Sequence, residues 1–310
     1  MPIKIPDGSP AEAVLRSEGV ELIPEGVALR QDIRPLRILL LNLMPTKIAT
    51  EVQIARLLSH TPLQVELSLL TTASYTPRNT PIEHLQAFYR TLDEVRAERF
   101  DAMIITGAPV ETMAYDDVAY WPEFLDIFAW SRTNVFRRFG ICWGALAALY
   151  AGYGVDKEHF DCKLSGIYPQ TVRAPDVPLL RGFPDAFPAP VSRWSGVRHE
   201  DIAGHPHLRI LADSPDTGIC LVQDDANGDL FMFNHLEYDT DTLKGEYFRD
   251  VAADPTTPVP HGYFPSDDPQ RMPMNQWRPF AHMLFWNWIT CLYRDTPFDL
   301  GILQEDRARG

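Results

Sequence analysis

The segment that most constrains this chain runs from Val135 to Tyr150, where an apolar strand pattern passes directly into a helix pattern. The junction reads Gly140-Ile-Cys142-Trp-Gly144, with a glycine two positions to either side of the cysteine. A strand, a sharp turn and a helix form the setting of a nucleophile elbow, here with cysteine in place of serine. Glycines are needed because the turn is strained and larger side chains would clash with neighbouring strands. The segment therefore predicts a cysteine nucleophile in the ligand crevice of an α/β sheet.

The helix that follows Cys142 also predicts the acid–base state of the thiol. The positive end of the helix dipole stabilises a thiolate. We therefore expect the pKa of Cys142 to lie below that of an ordinary cysteine.

The first half of the chain alternates short apolar runs with helical patterns. Four runs are predicted to be strands: Leu36–Leu43, Val65–Leu70, Ala102–Thr106 and Val135–Ile141. Helices are predicted after Pro45 (with a stripe of Ile48, Val52, Ile54, Ala55 and Leu58), over Ile82–Val95, over Val118–Ser131 and over Ala145–Tyr150. This alternation predicts a doubly wound, mostly parallel sheet.

The second half of the chain has a different pattern, which predicts an elaboration of the sheet. Short strands are expected at Leu208–Leu211, Gly218–Val222 and Leu230–Phe233. The proline-dense stretch between Ala252 and Pro273 is predicted to be a long ordered loop, because the apolar block Trp277–Tyr293 follows it. That block is predicted to be a buried helix that closes the sheet.

Length and composition narrow the class of protein. The 310 residues divide into an N-terminal arm (1–34, with a short helix near Ala11–Ser17), one α/β domain (35–298) and a charged tail (299–310). A net charge of −14 argues against nucleic-acid or membrane-surface binding, which need a positive field. With no signal-peptide pattern and no long apolar stretch, we expect a cytoplasmic protein. No cysteine pair has metal-site spacing, so no metal is expected.

A histidine and a carboxylate stand downstream at the spacing that a nucleophile needs. The sequence from Phe231 to Glu237 places His235 and Glu237 two residues apart after an apolar run. In an extended segment such residues share a face, so Glu237 can orient the imidazole while the imidazole faces the thiol. A loop histidine with no catalytic role is the alternative. We interpret Cys142, His235 and Glu237 as a catalytic triad.

An oxyanion hole is expected from backbone amides near the elbow. The amide of Trp143, in the first turn after the elbow, is one candidate. The turn Gly107–Ala108, at the end of the neighbouring strand, is the other, although Gly107 is equally well explained as a turn glycine.

The pairing of G-x-C-x-G with a later H-x-E resembles class I glutamine amidotransferases. Over nearly its whole length the chain also resembles a more specific family, the homoserine O-acyltransferases (the homoserine O-succinyltransferase family) of methionine biosynthesis. The matching stretches are Met1–Gly8, Leu41–Lys47, Ile105–Pro109, Asp117–Trp121, Cys142–Leu146, Lys163–Gly166, Phe233–Glu237 and the region around Tyr247 and Arg249.

The resemblance implies an acyl-CoA:L-homoserine O-acyltransferase with a class I glutamine-amidotransferase-like (flavodoxin-like) fold. By motif position, Cys142 would carry an acyl thioester, His235 would accept protons and Glu237 would assist it. The family's substrate-binding positions fall on Lys163, Ser192 and Arg249. The implied partners are L-homoserine and acyl-CoA, with no bound cofactor, and the family suggests a homodimer.

The family divides between succinyl and acetyl donors, and the resemblance implies that one position in the acyl pocket is associated with the choice. Succinyl enzymes resemble a pattern with glycine after the Gly-Ala-Pro turn, whereas this chain has Val110-Glu111 there. Glu111 would place bulk and negative charge where a succinyl carboxylate must lie, and Ser192 would line the same pocket. We therefore expect acetyl-CoA as co-substrate and O-acetyl-L-homoserine as product, with succinyl-CoA as the alternative donor.

Three other functions remain compatible with the residues alone. A stand-alone glutaminase or amidotransferase subunit would use the same three residues and would need a synthase partner for its ammonia. A binding protein without catalysis is possible on the same scaffold. A cysteine hydrolase or redox protein is the third alternative.

Overall fold

The computed structural model describes residues 35–75 and 80–303 in full, together with the backbone of Ile3–Ile5 and Leu22–Pro24. These two short segments pair in parallel as β1 and β2. The helix predicted near Ala11–Ser17 and the tail from residue 304 onward lie outside the described residues.

A ten-stranded mixed sheet forms the centre of the described chain. Its parallel half contains β3 (Leu36–Leu41), β4 (Val65–Leu70), β5 (Tyr89–Arg90), β6 (Phe100–Ile105) and β7 (Val135–Ile141). They lie in the order β5-β4-β3-β6-β7, and every neighbouring pair is parallel. The predicted doubly wound, mostly parallel arrangement of the first half is confirmed.

The second half extends this sheet with antiparallel strands. The strands are β8 (Glu158–Val172), β9 (Ala186–Gly196), β10 (Leu208–Ser214), β11 (Gly218–Asp224) and β12 (Leu230–Met232). Of these five, β12 joins the parallel half by pairing with β7, and the order continues as β12-β11-β10-β8-β9. The sequence prediction missed β8 and β9, which carry Pro169, Pro188 and Pro190. Proline is tolerated in a sheet mainly on edge strands, and β9 is an edge strand.

Helices cover both faces of the sheet. They are α1 (Lys47–Leu58), α2 (Ile82–Phe88), α3 (Leu92–Val95), α4 (Trp121–Asn134), α5 (Trp143–Tyr153), α6 (His199–Ala203), α7 (Thr242–Ala253) and α8 (Arg278–Asp295). Alternate residues of β3 and β6 enter two separate apolar cores, one shared with α1 and α8 and the other with α4 and α5. No helix in the described ranges is long and apolar enough to cross a membrane.

Two predictions about the helices are wrong. The apolar stripe of α1 does not face the core throughout, since Ile48 and Val52 are each 49% exposed. The buried side of α1 includes the polar residues Lys47 and Gln53 beside apolar ones, and Gln53 donates to Thr242 Oγ1 at 2.9 Å. The helix expected over Ile82–Val95 is broken at β5, because a capping box between Thr91 and Glu94 starts a new helix.

The proline-dense segment forms backbone hydrogen bonds with strand β8, which is consistent with the predicted ordered loop. His261 donates its amide to Ser165 O at 2.9 Å, and Ile167 donates to His261 O at 2.7 Å. Helix α8 then closes one face of the sheet, with Trp277 and Trp288 buried beside it. The predicted closing helix is confirmed, although Trp286 within it is 38% exposed.

Candidate active site

Cys142 stands on a strained turn between β7 and α5. Its φ of +51° lies in the left-handed region, which a non-glycine residue adopts only when the surrounding structure holds it there. The amide of Cys142 donates to Met232 O at 2.7 Å, which ties the turn to the end of β12. The side chain is 5% exposed. The local geometry is that of a nucleophile elbow.

The two flanking glycines are required by close backbone approach. A Cβ on Gly140 would lie 2.7 Å from Ala145 Cα, and one on Gly144 would lie 2.5 Å from Ile105 O. Helix α5 can pack this closely against β7 at Gly140 and against the end of β6 at Gly144 only because neither position has a side chain.

Gly144→Ala is therefore expected to lower the free energy of unfolding by about 1–3 kcal/mol, because rigid backbone carbonyls must move away from the new methyl group. Gly245→Ala is the matched control, since a Cβ there would meet nothing within 4 Å inside helix α7. It is expected to stabilise the protein by about 0.5–1 kcal/mol. Urea unfolding of both variants measures the two effects. Equal stability of the two variants would contradict the close-packing argument.

His235 and Glu237 lie beside the elbow because β12 runs parallel to β7 and ends at the same edge of the sheet. His235 Nδ1 lies 2.6 Å from Glu237 Oε1, and both side chains are buried. The amide of His235 donates to Pro190 O at 2.9 Å, and the ring of Tyr238 stacks on the imidazole at 4.1 Å. The structure thus brings the three predicted triad residues together.

Burial has the largest influence on the pKa of Cys142. It raises the pKa of the thiol, and the charges of Glu111 and Glu237 raise it further, whereas the charge of His235 and a hydrogen bond to it lower the pKa. The net shift is upward, so the lowered pKa expected from the helix N-terminus is wrong for the resting protein. Loss of water on burial is the largest cause of this upward shift, and the two nearby carboxylates add to it.

The pKa of the His235 imidazole is also shifted upward. Burial alone would lower its pKa, but the charges of Glu237 and Cys142 and hydrogen bonds to both raise it well above the ordinary histidine value. Glu237 therefore stabilises the imidazolium that forms when His235 takes up a proton, as a general base must. Glu237 Oε2 is buried and has no hydrogen-bond partner among the described residues.

The candidate oxyanion donors flank the sulfur. A Cβ on Gly107 would lie 3.8 Å from Cys142 Sγ, so this glycine is in direct contact with the elbow, and Ala108 beside it is buried. Trp143 is the first residue of α5, where amides have no carbonyl partner within the helix. Both candidate backbone segments therefore adjoin the elbow.

Glu111 points into the site. Its Oε2 lies 3.8 Å from Cys142 Sγ, and its Oε1 accepts the amide of Trp194 at 3.1 Å. Burial raises the pKa of Glu111, while the Trp194 amide and the nearby cations His235, Lys163 and Arg193 oppose that shift. The carboxylate thus occupies space next to the sulfur, where an acyl group on Cys142 would extend.

Lys163, Ser192 and Arg249 converge on helix α7. Lys163 Nζ lies 2.7 Å from Asp250 Oδ2, and Arg249 Nη2 lies 2.8 Å from Asp250 Oδ1. Ser192 Oγ donates to Glu246 Oε2. Glu246 and Asp250 were not predicted from the sequence, because no helix was expected over Thr242–Ala253. A helix there places positions 246, 249 and 250 on one face, which was the available signal.

A sequence profile described as homoserine O-succinyltransferase matches residues 2–298 of this chain. The chain belongs to the homoserine O-succinyltransferase family. Two relatives in this family are homoserine O-acetyltransferases, one from Novosphingobium aromaticivorans (53% identical) and one from Brucella canis (51% identical). Each alignment covers 97% of this chain and 98% of the relative. The predicted family is confirmed.

Solved structures show that this member of the homoserine O-succinyltransferase family has the glutamine amidotransferase fold. A glutamine amidotransferase from Thermotoga maritima is similar with a TM-score of 0.57 and 10% identity, covering 85% of this chain and 100% of that one. A glutamine amidotransferase from Methylobacillus flagellatus is similar with a TM-score of 0.51 and 14% identity, covering 86% and 99%. At this identity the likeness concerns the fold alone, and it confirms the predicted fold class.

Proposed function

We propose that this protein is a homoserine O-acetyltransferase, which transfers an acetyl group from acetyl-CoA to the γ-hydroxyl of L-homoserine. Full-length relatives at 51–53% identity with that activity in their names support the reaction. The family description names succinyl transfer, so the donor must be argued from the site.

The observation that carries the acetyl assignment is the position of Glu111. Its carboxylate lies 3.8 Å from the sulfur that would carry the acyl group, and the Trp194 amide fixes it there. A succinyl chain would bring a second carboxylate to this place. Two like charges about 4 Å apart repel by about 4 kcal/mol at an effective dielectric near 20. If Glu111 takes up a proton, its bulk still obstructs the longer chain, whereas an acetyl group ends before reaching it.

The first half-reaction transfers the acetyl group from acetyl-CoA to Cys142. His235 removes the proton of Cys142, and the thiolate attacks the thioester carbonyl of acetyl-CoA. Backbone amides near Trp143 and Gly107 stabilise the oxyanion. When the intermediate collapses, the bond to the CoA sulfur breaks, and His235 returns its proton to that sulfur. The product is an acetyl thioester on Cys142, which preserves the activation of the acetyl group.

The second half-reaction transfers the acetyl group from Cys142 to L-homoserine. His235 removes the proton of the homoserine γ-hydroxyl, whose oxygen attacks the thioester carbonyl of acetyl-Cys142. Cys142 leaves as a thiolate and regains the proton from His235, while O-acetyl-L-homoserine departs. Glu237 orients the imidazole and stabilises its protonated form in both halves. Kinetics of the ping-pong type follow from this sequence.

The cluster on α7 is suited to hold the acceptor. Arg249 and Lys163 are cations that match the α-carboxylate of an amino acid, and the planar guanidinium of Arg249 can bind it through two hydrogen bonds. Arg249 is 65% exposed and can therefore turn from Asp250 toward a substrate. Ser192 adds a small polar group to this cluster through its hydrogen bond to Glu246.

Initial rates with L-homoserine and either acetyl-CoA or succinyl-CoA test the proposal. We expect kcat/KM to be at least about 100-fold higher for acetyl-CoA, given the size of the repulsion. A preference for succinyl-CoA would refute the donor assignment. L-glutamine without acyl-CoA is the control, and release of ammonia from it would support the glutaminase alternative instead.

The raised pKa of His235 predicts a pH dependence. A base with a raised pKa keeps its proton to higher pH, so kcat/KM for acetyl-CoA should be lost as pH falls through a value above the ordinary histidine pKa of 6.5. Glu237→Gln removes the charge that raises this pKa, so the acid limb of the profile should move to lower pH while the plateau falls. An acid limb that stays in place in Glu237→Gln would contradict the assigned role of Glu237.

A further inference from the structure

The segment that carries Glu111 belongs to no helix or strand. Residues 106–114 connect β6 to the short helical turn that begins at Tyr115. Two turns within the segment are closed by backbone hydrogen bonds, from Val110 to Ala108 O at 2.9 Å and from Met113 to Val110 O at 3.0 Å. These local bonds shape the segment, but its distance from Cys142 depends on contacts with other elements.

Strand β9 holds Glu111 at two points through consecutive residues. The amide of Trp194 donates to Glu111 Oε1 at 3.1 Å, and the hydroxyl of Ser195 donates to Glu111 O at 3.2 Å. Ser195 is fully buried, and its Oγ also lies 3.0 Å from His159 Nδ1. Because a hydroxyl has one hydrogen, the imidazole must be the donor in this second contact. One residue of β9 thus fixes the carboxylate of Glu111, and the next fixes its backbone.

Lys157 holds the same segment from a different element, the connection between α5 and β8. Its Nζ donates to Met113 O and lies 4.3 Å from the centre of the Tyr115 ring, a position in which a cation is attracted to an aromatic face. Tyr115 in turn stacks on Trp121 at 4.8 Å and on Tyr150 at 4.4 Å. The ammonium group therefore ties residue 113 to the aromatic core.

These contacts affect the acyl donor because the effect of Glu111 depends on distance. Its Oε2 lies 3.8 Å from Cys142 Sγ. If the segment moved back by about 2 Å, repulsion of a succinyl carboxylate would weaken enough to change relative rates by about tenfold at an effective dielectric near 20. Exclusion of the longer donor thus requires a firmly held backbone as well as a carboxylate at position 111.

We propose that Ser195 and Lys157 are positioning residues for the choice of acyl donor, because they hold the backbone of residues 111–113 so that the Glu111 carboxylate stays beside Cys142. The inference rests on the proposed acetyl transfer to L-homoserine. It extends the control of donor choice to two residues that contribute through Glu111 and have no part in the triad.

The test measures kcat/KM with acetyl-CoA and with succinyl-CoA at fixed L-homoserine in Ser195→Ala and Lys157→Met. Methionine keeps an unbranched side chain over Tyr115 but cannot donate to Met113 O. Each variant should raise the ratio for succinyl-CoA over acetyl-CoA by about 5- to 10-fold, chiefly through better use of succinyl-CoA. The value with acetyl-CoA should stay within about threefold of wild type. Lys157 is not fully buried, so its variant gives the same readout even if Ser195→Ala does not fold.

A double-mutant cycle with Glu111→Gly separates this role from general support of the fold. Glycine at position 111 keeps the carbonyl oxygen that Ser195 binds but has no carboxylate to position. In the Glu111→Gly background, Ser195→Ala and Lys157→Met should therefore leave the donor ratio within about twofold. Ser131→Ala is the matched control, since Ser131 is a buried serine of α4 that also donates to a backbone carbonyl, Phe128 O at 2.6 Å. It should leave the donor ratio of the otherwise wild-type protein unchanged.

Three results would overturn the inference: a wild-type donor ratio in both single variants, an equal shift in the Glu111→Gly background, or an equal shift in Ser131→Ala. A wild-type protein that acylates L-homoserine with neither donor would instead refute the proposed function.

Discussion

Cys142→Ala is expected to lower the turnover of acetyl-CoA and L-homoserine by about 10⁴-fold or more, because the acyl group then has no carrier. The fold should tolerate the change, since the turn is tied to β12 by the amide of residue 142, which the substitution keeps. Both the steady-state rate and the stoichiometric release of CoA without acceptor should disappear together. Residual CoA release at the wild-type rate would mean that the acetyl group leaves CoA by another route.

Cys162→Ala is the control for this variant. Cys162 is an exposed free cysteine outside the elbow, so its loss should leave activity within about twofold of wild type. A large loss in Cys162→Ala with activity retained in Cys142→Ala would contradict the assignment of Cys142 as the acyl carrier.

Glu111→Gly should produce the second large effect, a shift in donor preference. Removing both the bulk and the charge beside Cys142 Sγ should raise the ratio of kcat/KM for succinyl-CoA over acetyl-CoA by about 10²- to 10³-fold. The measurement is the pair of initial rates with each donor at fixed L-homoserine.

Glu111→Gln separates the effect of the charge at this position from the effect of its bulk. It keeps the bulk and the acceptor for the Trp194 amide but removes the charge, so it should recover only the part of the shift that comes from repulsion. An unchanged donor ratio in both variants would show that Glu111 does not control the acyl pocket.

The parallel half of the sheet and the elbow could be predicted from the sequence, for a physical reason. Strands buried on both faces, such as Leu36–Leu41 and Val135–Ile141, are short runs that are mostly apolar despite one and two arginines, and local sequence is sufficient to recognise them. His235 and Glu237 were also accessible, because a spacing of two residues after a strand constrains where their side chains lie.

The structural features that could not be predicted from the sequence depend on tertiary contacts. The hairpin of β8 and β9 has mixed burial and several prolines, so its strands exist because of pairing across the sheet rather than local propensity. The pKa of Cys142 was predicted in the wrong direction because a helix dipole is visible in the sequence, whereas burial and the approach of Glu111 are not. Glu246 and Asp250 were missed for another reason, because the helix Thr242–Ala253 that carries them was not expected.

The most direct test of the central claim is mass spectrometry of the intact protein and its peptides after mixing with acetyl-CoA, before and after addition of L-homoserine. The proposed mechanism predicts one acetyl group on the peptide that contains Cys142, absent in Cys142→Ala, and its complete discharge to O-acetyl-L-homoserine when the acceptor is added. An unmodified Cys142, an acetyl group on a different residue, or a Cys142 adduct that L-homoserine does not discharge would contradict it.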